Sequence, residues 1–137
     1  MSVTREVVAL MAEVAARYNE AYEQAAADRQ LTALQAKALV LLSREPLPMR
    51  RMAELFRCDP SNVTGIVDRL ERRGLAGRVA SPADRRVKNV ALTEEGRRVV
   101  DELSGTLGFA AEPLATLTEA ERVQLRDLLL RTLGRYS

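Results

Sequence analysis

The 137 residues carry 21 Lys+Arg against 19 Asp+Glu, a net charge of +2, with no histidine and one cysteine. That length suits one domain, and the inventory excludes the imidazole bases and the usual zinc sites on which many enzymes depend. No apolar run approaches the roughly 20 residues of a membrane span, and Glu13 and Arg17 interrupt the apolar N-terminal stretch a signal peptide would need, so the expected setting is cytoplasmic.

Residues Val3 to about Ala27 read as a long amphipathic helix. Val3, Val7, Leu10, Met11, Val14, Tyr18, Ala21, Tyr22 and Ala25 recur at three- and four-residue spacing. Thr32 to Ser43 is a second helix, opened by the capping box Thr32-Ala-Leu-Gln35 and apolar enough for burial. Pro46-Leu47-Pro48 is expected to bend.

Two short helices follow Met49. In the first, Met52, Ala53, Leu55 and Phe56 are expected on one apolar side, with Ala53 small where the helices cross. Asp59 is expected to give the second helix an N-cap oxygen, and Pro60 suits the first helical position. Val63, Ile66, Val67 and Leu70 form its apolar stripe, and Gly74 is a left-handed stop with Leu75 packing back.

A hairpin comes next. Its first strand runs from about Ala76 to Ala80 with Val79 inward, and Pro82 and Asp84 make the turn. Arg85 and Arg86 stand at the tip. The return strand, Val87 to Leu92, puts Val90 and Leu92 on one face and Asn89 and Ala91 on the other. Thr93 then caps a helix whose first turn holds Glu94 and Glu95, favourable at the positive end of its dipole, and which continues through Val99, Val100, Leu103 and Leu107. A bend is expected between Gly105 and Pro113. The last helix opens with the capping box Thr118-Glu-Ala-Glu121 and is apolar over more than one face, with Val123, Leu125, Leu128, Leu129, Leu130 and Leu133.

The second short helix has a free face. At about 100° per residue, Ser61, Gly65, Asp68 and Arg72 lie opposite the apolar stripe, flanked by Asn62 and Arg69 on one side and Thr64 on the other. Hydroxyl, amide and guanidinium groups bond base edges and phosphates, and Gly65 would let the backbone approach the groove floor. Asp68 repels phosphate; it either pairs with Arg72 one turn later or accepts from a cytosine amine. By itself such a face is as readily a solvated polar surface. An Arg-tipped hairpin directly after it suits insertion into a minor groove, against the plainer reading of a surface turn with a local Asp84–Arg bridge worth little.

Ala53-Glu-Leu, Pro60-Ser-Asn-Val-Thr-Gly-Ile-Val-Asp-Arg-Leu-Glu-Arg-Arg-Gly-Leu75 and Pro82-Ala-Asp-Arg-Arg through Val90-Ala-Leu-Thr-Glu-Glu-Gly96 resemble the multiple-antibiotic-resistance regulator (MarR) family, the dimeric winged-helix transcription regulators of bacteria and archaea. The layout matches over nearly the whole chain, and the distinctive motifs span Ala53 to Gly96. The resemblance implies a mainly α winged helix-turn-helix fold of about six helices with a small β-hairpin wing. It implies that Ser61, Asn62, Thr64 and Arg69 belong to the recognition helix, that Asp84 orients the wing, and that Arg85 or Arg86 enters the minor groove. Two positions depart from the pattern. Arg57 stands at the turn where glycine is common, and left-handed dihedrals cost a non-glycine residue; Pro48 stands where a hydroxyl cap is usual.

The full expected DNA-contacting set is Ser61, Asn62, Thr64, Gly65, Asp68, Arg69, Arg72, Asp84, Arg85, Arg86 and Lys88. Charge agrees with it: Arg44 to Arg98 holds 13 basic and 8 acidic residues, against 4 and 5 before it and 4 and 6 after it. One domain, 1–137, is expected, with residues 32–98 as the DNA-binding lobe and 1–28 and 99–137 as dimerisation helices. The expected function is a homodimeric, ligand-responsive repressor on a pseudo-palindromic duplex. By the resemblance its effector would be a small apolar or aromatic anion. No cofactor is implied, since no glycine-rich phosphate loop occurs, and no metal, since there is one cysteine and no histidine; an enzyme is not expected. The alternatives are a helical dimeric protein-interaction module and a thiol-based sensor using Cys58, whose thiol pKa Arg57 could lower; the plainer role for Cys58 is packing.

Overall fold

Leu39, Leu42, Met52, Val63, Val67, Leu70, Val90 and Leu103 are the large side chains most fully removed from water. They come from five elements, so one core binds the middle of the chain together. Truncating any of them to alanine would cost on the order of 2–5 kcal/mol. The computed structural model describes residues 2–106 and 111–135. Among these run α1 (Val3–Ala27), α2 (Ala33–Leu42), β1 (Leu47–Pro48), α3 (Met49–Phe56) and α4 (Pro60–Arg72). The wing strands β2 (Ala76–Ala80) and β3 (Lys88–Leu92) follow, then α5 (Glu94–Thr106), the single turn α6 (Ala111–Leu114) and α7 (Glu119–Thr132). Leu107 and part of the Gly105–Pro113 bend lie outside the described residues.

The chain forms two compact units, residues 1–107 and 108–137. In the first, the antiparallel sheet has the order β1-β3-β2. Pro46-Leu47-Pro48 was expected only to bend, but Leu47 pairs with Val90 and Pro48 with Asn89. An edge strand tolerates Pro48 because a missing amide there leaves no inner ladder bond unmade. Leu47 is buried against the same core.

Both capping boxes form, Thr32 with Gln35 and Thr118 with Glu121. The expected cap at α4 does not: the Asp59 side chain makes no cap hydrogen bond. Its backbone carbonyl accepts from Asn62 and Val63 instead, and Pro60 has no amide to satisfy. Pro48 likewise starts α3 without a side-chain cap. On α3, Met52 and Ala53 are buried and Phe56 packs against the core, but Leu55 is exposed rather than on the apolar side. A helix of eight residues offers too few turns to bury adjacent positions on a narrow stripe.

The stripe of α1 divides. Tyr22, Ala25 and Ala26 are buried near its end, where α2 packs. Before them the stripe is open: Val3 is 74% exposed, Leu10 60% and Val14 57%. In the second unit α7 buries no residue, and Val123, Leu128, Leu129 and Leu133 are all exposed. Contiguous exposed apolar faces mark interaction surfaces.

Candidate nucleic-acid interface

The turn between α3 and α4 sets the helix pair. Arg57 adopts φ 52° and ψ 48°, the left-handed conformation, and its amide and that of Cys58 bond back to Glu54 and Ala53. A residue with a Cβ thus makes the turn that glycine would make without steric cost. Val63, Val67 and Leu70 anchor α4, with Ile66 half-buried beside them. Gly74, at φ 72°, ends the segment: its amide bonds Glu71 and that of Leu75 bonds Leu70, closing a Schellman turn with Leu75 buried behind it.

Ser61, Asn62, Thr64, Gly65, Arg69 and Arg72 are all exposed on the opposite side of α4. The Thr64 hydroxyl donates to the Pro60 carbonyl at 3.0 Å, which leaves it an acceptor toward anything outside. A Cβ at Gly65 would meet nothing within 4 Å. Asp68 is half-buried, and the expected pairing with Arg72 is not the one it makes. Its Oδ1 lies 3.0 Å from Nη2 of Arg78 on β2.

The wing's register explains that pairing. Ala76 pairs with Leu92, Arg78 with Val90 and Ala80 with Lys88. Cross-strand partners share a face, so Ala76 and Arg78 lie on the side of buried Val90. Val79, expected inward, is on the other face and 47% exposed. At the tip the Ser81 amide bonds the Val87 carbonyl, and that of Val87 bonds the Asp84 carbonyl. The Asp84 carboxylate accepts from the Arg86 amide at 3.0 Å and from its Nε at 3.2 Å. Those bonds, the backbone one first, hold the Asp84 carboxyl below its ordinary pKa. The local bridge is therefore real, yet the Arg86 side chain remains 92% exposed. Arg85 and Lys88 are exposed beside it.

Three contributors were not read from the sequence. Arg78 holds both Asp68 and Glu71 of α4. Arg73, just past α4, donates to the carbonyls of Gln30 at 2.7 Å and Arg29 at 2.9 Å, fastening the recognition segment to the end of α1. Arg29 in turn pairs with Glu102 of α5 at 3.2 Å. Gly96 makes the third contribution, since a Cβ there would overlap the Leu75 carbonyl oxygen. Only the strand alternation offered a signal, once the pairing of Ala80 with Lys88 is known; the other contacts join residues too distant in sequence for local pattern to reveal.

Among the described residues, no group of His, Cys, Asp or Glu could hold a metal ion, and no helix is long and apolar enough to cross a membrane. Cys58 is half-buried and lines a shallow groove with Met49, Ala53 and Pro60. Arg69, Arg72, Arg85 and Lys88 take part in no ion pair among the described residues, so their charge faces outward.

Residues 31–88 match the MarR family. Over 129 residues the chain is 31% identical to the HTH-type transcriptional repressor NicR of Pseudomonas putida, an overlap that covers 93% of this chain and 82% of NicR. The chain belongs to the MarR family. Among solved structures, CouR from Rhodococcus jostii RHA1 bound to p-coumaroyl-CoA superposes with a TM-score of 0.83 at 29% identity, over 95% of this chain and 93% of CouR. A MarR-family transcriptional regulator from Rhodococcus sp. RHA1 gives 0.77 at 28% identity, over 95% of each chain. As a MarR protein the chain is a winged-helix, DNA-binding transcription regulator and not an enzyme. The interaction-module reading is not favoured.

Proposed function

We propose that this MarR-family chain acts as a homodimer on a pseudo-palindromic operator, as a repressor released by a small effector. Each subunit places α4 in a major groove and its wing tip in the flanking minor groove, with half-sites about 10 bp apart. One observation carries this reading: Asp84 orders the turn through the Arg86 amide and guanidinium while the Arg86 side chain stays 92% exposed at the wing tip. Ser61, Asn62, Arg69 and Arg72 reach base edges and phosphates, Thr64 accepts, and Gly65 admits the backbone closely. Arg85, Arg86 and Lys88 serve the minor groove and its rim.

Several observations support the finer points. The open stripes of α1 and α7 are surfaces that a second subunit would cover. NicR is named a repressor. CouR was solved bound to p-coumaroyl-CoA. Such a regulator works in the cytoplasm, where its DNA is.

The test replaces Arg85 and Arg86 by alanine, separately and together, and follows operator affinity by anisotropy and association state by sedimentation. Affinity should fall about tenfold or more for the double variant, as loss of charged contacts in a narrow groove requires, with the dimer unaltered. Unchanged affinity would remove the wing from the interface.

A further inference from the structure

Asp68 and Glu71 place two carboxylates on the helix that must approach phosphates. One turn apart, they lie on the flank of α4 that faces the wing, and Arg78 reaches both. Its Nη2 is 3.0 Å from Asp68 Oδ1, and its Nη1 pairs with Glu71 Oε1. The Arg78 side chain is 30% exposed and those of Asp68 and Glu71 44% and 33%, so the pairs are partly open to solvent and their effect is in geometry more than in stability. A guanidinium suits the task because its fork presents two donor edges, whereas an ammonium is a point charge. Among the described residues, this is the only ion-pair link between the wing strands and α4.

We propose that Arg78 is a positioning residue for DNA reading: it neutralises Asp68 and Glu71 and locks the wing to the recognition helix, and Asp68 is its anchor rather than a base contact. The inference rests on the groove-reading role proposed above for α4 and the wing. Without Arg78, two bare carboxylates would face the phosphates and the wing would lose its fixed angle to α4. The charge of Arg78 is spent within the subunit, so it contributes nothing to counterion release.

The experiment compares the full chain with Arg78→Met, with the pair Asp68→Asn and Glu71→Gln, and with all three changes together. In the free protein, amide hydrogen exchange of β2 and β3 should quicken about fivefold or more in Arg78→Met as the lock opens. Unchanged exchange would overturn the lock. On a selected duplex, Arg78→Met should weaken binding about tenfold through unpaired carboxylates, and the triple variant should return to within about threefold of the parent. The slope of log affinity against log salt should be the same in all forms. A triple variant as weak as Arg78→Met, with the slope lowered by about 0.9, would show a phosphate contact and overturn the proposal. So would an altered base preference at one operator position in the Asp68→Asn, Glu71→Gln form. A parent chain that binds no duplex would overturn the proposed function instead, and the exchange rates would still decide the lock.

Discussion

The Thr93 hydroxyl donates to the Gly74 carbonyl at 2.6 Å and accepts from the Gly96 amide at 3.1 Å. One side chain thus ties the stop of the recognition helix to the first turn of the helix after the wing. The Thr93 amide adds a bond to the Leu75 carbonyl at 3.1 Å. Helix, wing and following helix meet at this node, which fixes where the recognition helix points relative to α5.

Gly96 is the tightest part of that node. A Cβ would overlap the Leu75 carbonyl oxygen and press Leu92 Cδ2 at 3.2 Å, and the carbonyl is backbone already bonded to Thr93. Gly96→Ala should therefore destabilise the fold by about 3 kcal/mol, the upper range for overpacking. Urea denaturation measures it; a loss below about 1 kcal/mol would show that α5 can move away from Leu75.

Arg57 holds a left-handed conformation at φ 52° with no glycine to ease it. Arg57→Gly should stabilise the chain by about 1 kcal/mol, the relief of Cβ strain less the added unfolded-state entropy of glycine. The thermal midpoint would rise. A fall would mean that the Arg57 side chain makes a stabilising contact that outweighs its backbone strain.

Gly65 faces open space at the centre of the exposed side of α4. Gly65→Ala should raise stability by about 1 kcal/mol through helix propensity, while weakening operator binding if the backbone approaches the groove. Opposite signs in the two assays are the expected outcome. Tighter or equal DNA binding would remove close approach as the reason for glycine here.

Asp84 has its folded-state pKa lowered, first by the Arg86 amide and then by its guanidinium. A depressed carboxylate pKa means that the turn's stabilisation is complete above the ordinary value of 3.8 and is lost as pH falls through the lower folded value. The Arg86 amide resonance should therefore titrate below 3.8. A midpoint at or above that value would contradict the hydrogen-bonded turn.

The helix pair was legible because its information is local. Val63, Val67 and Leu70 recur at helical spacing and are buried as that spacing requires, and Gly74 takes the left-handed stop expected of it. The wing was legible as two strands but not in its facing. Alternation defines two faces, and the choice of the one carrying Ala76 and Arg78 follows from pairing with Leu92 and Val90, which Val79 alone could not reveal. Asp68 finds its partner ten residues away on another element, and Arg73 finds carbonyls 43 and 44 residues away. Leu47–Pro48 is too short a strand to have a pattern. The stripe of α1 was plain in the sequence; that Tyr22, Ala25 and Ala26 near its end are the residues α2 buries is a tertiary fact.

The most direct test is selection of bound duplexes from a random pool, followed by the salt dependence of the best site's affinity. A two-fold symmetric site with half-sites about 10 bp apart, and affinity falling steeply with salt, is the predicted result. Enrichment of no sequence, or of sites without two-fold symmetry, would contradict a homodimer that reads DNA through α4 and its wing.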